Sequence, residues 1–207
     1  ANKIKSDGYF IIGNVGDIFE MAWYMRGMEN LLMDFIDNQD FANAFLDKIT
    51  NIRCFISRKQ AEADADMILL GDDVAMQHKM IMRPDTWRYW LKPRLAKVIN
   101  SAKAVKPKIH IFYHSDGNIE DIIPDLIEVG VDVLNPVQPE CMDPVQLKKQ
   151  YGDKLSFWGT IGTQTTMPFS TPDEVKRVVT NMIETVGKNG GLVVAPTHTL
   201  EPDVPWA

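Results

Sequence analysis

The chain has 207 residues, 45% hydrophobic and 24% charged, values of an ordinary globular protein large enough to bury its own core. Its net charge is −6, its pI is about 5.2 and its Lys and Arg residues form no cluster, which argues against nucleic acid and anionic membrane as partners. No apolar run approaches the ~18 residues that cross a bilayer, and two cysteines, Cys54 and Cys141, make neither a disulfide framework nor a CxxC pair, so the cytoplasm is the expected compartment.

Strand and helix signals alternate along the whole chain. Residues 9–12 read as a strand opening into Gly13 to Asp17, followed by helical stretches over 18–36 and 41–63. In the second stretch Phe41, Phe45, Ile49, Ile52 and Ile56 recur at the helical period. Residues 67–70 predict the next strand, ending at Gly71-Asp72-Asp73. Pro84, Trp87, Trp90, Leu91, Leu95, Val98 and Ile99 then mark a helix with proline in its first turn. A strand over 109–113 leads to a helix over 119–129, and a strand over 131–134 closes on Asn135 to Gln138. A short helix over 144–151 precedes a strand over 155–158. Thr171-Pro172-Asp173-Glu174 is a capping box opening a helix expected to bury Val175, Val178, Val179, Met182, Ile183 and Val186. The last strand spans 192–195.

Six strands separated by helices argue for a parallel sheet, either open and doubly wound or part of a (β/α)8 barrel. No GxGxxG or GxxxxGK[ST] follows any strand, which removes the main support for a nucleotide-binding open sheet. Polar residues stand at nearly every strand end rather than at one switch point, which favours the barrel. A whole barrel takes about 250 residues, so six units fit one lacking its first two strands. Both ends of the chain look cut, at Ala1 and after Glu201 to Ala207, and one domain over 1–207 is expected.

The chemistry concentrates in His114-Ser115-Asp116-Gly117-Asn118, directly after a strand, and in His198, which follows another. A His-x-Asp pair with a distant His is an oxygen and nitrogen ligand set suited to zinc or another divalent ion, with Asp72 or Asp73 available as a fourth ligand. The competing reading has His114 bonding a loop and Asp116 forming a turn with Gly117, in a polar pocket without metal. Asp72-Asp73 invites a paired-carboxylate reading, but adjacent residues leaving a strand point apart, so one of them faces the pocket. Tyr24 is placed to reach the pocket, Trp23 to pack, and His110 to be an interior histidine. His78 and the Met76, Met80 and Met82 group read as loop packing.

The series Gly71-Asp72-Asp73, His114-Ser115-Asp116-Gly117, Asn135-Pro136-Val137-Gln138, Gly152-Asp153 to Gly159, Ser170 to Val175 and Pro196-Thr197-His198 with Pro202-Asp203-Val204-Pro205 resembles the uroporphyrinogen decarboxylase superfamily. That superfamily also holds methyltransferases that take methyl groups from corrinoid proteins. The resemblance implies a (β/α)8 barrel with its pocket at the carboxyl ends of the strands, of which this chain matches the later two-thirds. In the decarboxylases a tyrosine in the segment matching Trp23-Tyr24-Met25 and a histidine matching His198 line the pocket, and the family's serine position falls near Asp73. In the zinc methyltransferases a His-x-Cys pair matches His114 and Asp116, and a later cysteine matches His198. Both cysteines are therefore replaced here by harder ligands.

The expected function is a methyltransferase of this superfamily, moving a methyl group between a small substrate and a corrinoid carried by a partner protein. Its expected metal ligands are His114, Asp116 and His198. Asp73, Tyr24 and His198 are the expected catalytic residues, and Tyr24, Gln138 and Asp72 the expected substrate contacts. A tetrapyrrole decarboxylase is the alternative, and a non-catalytic barrel binding a corrinoid or porphyrin is the third reading.

Overall fold

The computed structural model describes residues 2–205, so Ala1, Trp206 and Ala207, on which the expectation of cut ends partly rests, lie outside the described residues. In chain order the elements are α1 (Asn2–Ser6), β1 (Ile12–Gly16), α2 (Phe19–Arg26), α3 (Met28–Asp37), α4 (Gln39–Glu62), β2 (Met67–Gly71), α5 (Pro84–Trp90) and α6 (Lys92–Lys103). Then come β3 (His110–His114), a 3-10 turn (Glu120–Ile122), α7 (Ile123–Val129), β4 (Val133–Asn135), α8 (Pro144–Tyr151), β5 (Ser156–Ile161), α9 (Thr166–Phe169), α10 (Pro172–Thr185) and β6 (Leu192–Pro196).

The six strands lie in one sheet in the order β1-β2-β3-β4-β5-β6. Pairing is parallel between β1 and β2, β4 and β5, and β5 and β6. A doubly wound sheet reverses its strand order at a switch point. Unbroken chain order with helical crossovers is that of a (β/α)8 barrel, six strands of it, and the expected fold class holds.

Two compact units are distinguished. Among the described residues the first comprises 2–73, 82–113 and 121–131, the second 74–81, 114–120 and 132–205. In the first, α4 packs on α6 and β1, and the Ser57 hydroxyl donates to the Val98 carbonyl at 2.9 Å. Phe35 stacks on Trp90 with ring centroids 4.7 Å apart. Asp125 takes Lys92 Nζ at 2.7 Å and Arg88 Nε at 3.0 Å, which pins α7 to α5 and α6. In the second, β4, β5 and β6 bury Leu134, Phe157 and Ile161. Asp143 caps α8 by accepting from Val145 N at 2.8 Å, and Thr171 and Glu174 complete the expected capping box of α10.

Several elements differ from the sequence reading. The first strand is Ile12–Gly16, while Tyr9 and Phe10 are exposed, because the inward positions are Gly13 and Val15 rather than the bulky run before them. A Cβ at Gly13 would lie 2.8 Å from Gln60 Cβ, so the missing side chain is what admits α4. The helix expected over 18–36 breaks at Gly27, whose φ of +81° favours glycine. The helix after Pro84 likewise divides at Leu91, since Pro93 in the first turn of α6 donates no N–H. Along α10, Met182 is buried with Val186 just beyond it, but Ile183 is exposed. His110 is also exposed, at the start of β3 beside Phe10, and is not an interior histidine.

Candidate functional site

His114 is the last residue of β3, and the chain leaves it in a tightly held loop of the second unit. Ser115 N donates to the Asn135 carbonyl at 3.0 Å, continuing the strand by one bond. Ser115 is fully buried; its Oγ accepts from Val74 N at 3.2 Å and donates to the Asp116 carbonyl at 3.1 Å. Gly117 has φ +82°, and a Cβ there would stand 2.5 Å from the Met76 carbonyl oxygen, so glycine is required for the loop to lie on residues 74–81. Asn118 N completes that contact, donating to Met76 O at 2.9 Å. Asp116 is thus fixed on both sides by backbone bonds.

His198 reaches the same place from the loop after β6. Thr197 N donates to Ile161 O at 2.9 Å, and the buried Thr197 Oγ1 accepts from Thr163 N at 3.3 Å. Those bonds hold the residue immediately before His198. The result is a three-residue arrangement centred on one carboxylate. His114 Nε2 lies 3.9 Å from Asp116 Oδ1, and His198 Nε2 lies 3.9 Å from Asp116 Oδ2. The His114 and Asp116 side chains are 30% exposed and that of His198 is 49% exposed, so the group is open to solvent and to small molecules.

Two imidazole nitrogens and a carboxylate are a ligand set that zinc accepts. Bonds of about 2.0–2.2 Å in a tetrahedron place neighbouring donors about 3.3–3.6 Å apart. Each observed separation, 3.9 Å, exceeds that by a few tenths of an ångström, and the two are measured to different oxygens of Asp116.

Gln138, expected as a substrate contact, is buried, and its Oε1 accepts from Gly117 N at 2.6 Å. That bond braces the Asp116 loop. Asp72 is also not what its sequence position suggested. It is 5% exposed, and its Oδ1 accepts from Ile18 N at 2.9 Å, Phe19 N at 2.6 Å and Glu20 N at 3.0 Å. Its carboxylate is the cap of α2, satisfying N–H groups that the helix itself leaves open. Burial pushes its pKa well up while the three N–H donors pull it down. Oδ1 is thus given to that cap, and the carboxylate is buried.

Asp73 and Tyr24 belong to the first unit. Tyr24 projects from α2 and is 71% exposed. The nearby charge of Glu20, reinforced by desolvation and by Asp17 and Asp73, raises its pKa, which keeps the hydroxyl protonated.

Two residues near the site were given no role there by the sequence reading. Asn135, at the end of β4, places Oδ1 2.6 Å from His114 Nδ1, and its Nδ2 donates to the Trp158 carbonyl at 3.0 Å. A polar residue ending a strand is the signal that singled out His114, and it applies equally to Asn135. Cys141 has its thiol pKa raised by burial and then by Glu140 and Asp116, which keeps it neutral.

Among the described residues no helix is long and apolar enough to cross a membrane. A methylcobamide:CoM methyltransferase, MtaA, from Methanosarcina barkeri is 27% identical over 196 residues, covering 94% of this chain and 54% of that protein. A methylated-thiol–coenzyme M methyltransferase of Methanosarcina mazei is 24% identical over 163 residues, 76% of this chain and 40% of its own length. The chain thus spans about half the length of these relatives, or less. A solved methyltransferase from Methanosarcina mazei superposes with a TM-score of 0.76 at 24% identity, over 95% of this chain and 55% of that one, a likeness of fold. The uroporphyrinogen decarboxylase (URO-D) family pattern matches residues 2–207, and the chain belongs to that family.

Proposed function

We propose that the protein is a methyltransferase of this family, moving a methyl group between a corrinoid carried by a partner protein and a small oxygen- or sulfur-bearing substrate, with zinc held by His114, Asp116 and His198. The observation that carries the reading is the meeting of two imidazoles on one carboxylate. The methyltransferase names of the relatives support it.

Bound there, zinc supplies Lewis acidity to the heteroatom that receives or releases the methyl group. His114 offers Nε2, because Nδ1 is engaged by Asn135. Asp116 contributes the negative charge, on a loop that Ser115, Gly117 and Gln138 keep from moving. His198, with half of its side chain exposed, is the one of the three that a small substrate reaches most readily. In the first unit, Asp73 as proton acceptor and Tyr24 as donor are the acid–base candidates.

Two measurements test this reading: metal analysis of the purified protein, and transfer of a methyl group from a methylated corrinoid to a small thiol. One zinc per chain, lost in His114→Ala/His198→Ala together with methyl transfer, is expected. Stoichiometric metal in that double variant, or turnover of uroporphyrinogen in place of methyl transfer, would overturn it.

A further inference from the structure

The amide of Asn135 stands between two groups that leave it one orientation. The Trp158 carbonyl, 3.0 Å away, only accepts, so the Asn135 atom facing it is Nδ2. Oδ1 then faces His114 Nδ1 at 2.6 Å, and Oδ1 only accepts, so the proton of that hydrogen bond lies on Nδ1. A neutral imidazole with its proton on Nδ1 carries its lone pair on Nε2, the atom 3.9 Å from Asp116 Oδ1. Backbone, amide and ring are therefore linked in series: the β5 carbonyl orients the β4 amide, and the amide fixes the β3 histidine.

We infer that Asn135 is a positioning residue that selects the Nδ1-protonated tautomer of His114 and turns its Nε2 lone pair toward Asp116. The use of that lone pair for a metal rests on the function proposed above, but the choice of tautomer does not. Two nitrogens of one ring are otherwise interchangeable as ligands, and a partner on the second nitrogen is what makes one of them available.

The test uses the metal-free full chain labelled with ¹⁵N in its imidazoles, read by long-range ¹H–¹⁵N correlation at about pH 8.5, well above the ordinary histidine value. The chain has four histidines, and His114→Ala assigns the signal. The Nδ1–H pattern is expected for His114 in the wild type and in Asn135→Asp, which keeps an acceptor. Asn135→Leu removes the acceptor and should lower the share of the Nδ1-protonated form. Zinc competition against a chromophoric chelator should find Asn135→Leu about 10–100-fold weaker, and Asn135→Asp within a few-fold of wild type. A wild-type His114 protonated on Nε2, or zinc binding in Asn135→Leu equal to wild type, overturns the inference. A wild type that shows the Nδ1–H pattern and takes up no zinc defeats the metal reading and leaves the assignment to Asn135 standing. Asn135→Asp answers the case in which Asn135→Leu fails to fold.

Discussion

His198 Nε2 lies 3.9 Å from Asp116 Oδ2, on a different carboxylate oxygen from the one His114 approaches. Each imidazole thus has its own oxygen. The pair of contacts makes Asp116 the common element of the site, and its chemistry is the one to change first.

Asp116→Cys replaces a hard oxygen donor by a thiolate. Thiolate ligands favour zinc and softer ions over magnesium and calcium. Zinc affinity is expected to rise by about 10-fold or more, together with the preference for zinc over magnesium. Competition titration with a chromophoric chelator measures both. Zinc affinity and selectivity unchanged in this variant would show that Asp116 is not among the ligands.

Asp72→Ala and Asp72→Asn separate capping from catalysis. Alanine leaves the N–H groups of Ile18, Phe19 and Glu20 without their acceptor, at a cost of about 2–3 kcal/mol. Asparagine keeps an oxygen at the cap and should cost about 1 kcal/mol or less. Urea unfolding gives both numbers. Methyl transfer by folded Asp72→Asn should stay near wild type, and its loss without loss of stability would return Asp72 to the catalytic group.

Asp64 carries a pH-dependent contribution to stability. Hydrogen bonds from Lys106 and then Lys5 hold its pKa at about 2, below its ordinary value of 3.8. A folded-state value below the unfolded one means that the contribution is present above about pH 4 and lost as pH falls through about 2. The comparison is Asp64→Asn, because the residue has φ +64° and asparagine tolerates that conformation. Unfolding curves of the two proteins should differ near neutral pH and converge as the medium is acidified. A gap that persists unchanged at low pH would remove the carboxylate as its source.

Gly117→Ala places a Cβ 2.5 Å from the Met76 carbonyl oxygen at a φ of +82°. The loop must move, with an expected loss of about 1–3 kcal/mol. Because the adjoining Asp116 moves with it, zinc binding should weaken as well. Thermal unfolding and chelator competition together test the link, and a destabilised variant with unchanged zinc affinity would break it.

Local sequence determined the elements. Alternating strand and helix signals, proline at helix starts and the Thr171 to Glu174 capping box act over a few residues, and their physics is complete within those residues. His114 and Asp116 stood out for the same reason, two polar residues at the carboxyl end of one strand. What failed locally was the run 9–12, because hydrophobicity alone does not say which residue of an apolar stretch meets a neighbouring helix, and Gly13 against Gln60 decided it. The roles of Asp72 and Gln138 were decided by tertiary structure alone. Each looked available for substrate, and each is given to a backbone N–H that the chain brings from elsewhere: the first turn of α2 for Asp72, and Gly117 for Gln138. Asn135 is the converse case, an ordinary strand-end polar residue in sequence that acquires its meaning only when the Trp158 carbonyl and the His114 ring arrive on either side. Hydrogen bonds are short and directional, so which buried polar group finds which partner depends on positions set by the whole sheet and not on neighbours in the chain.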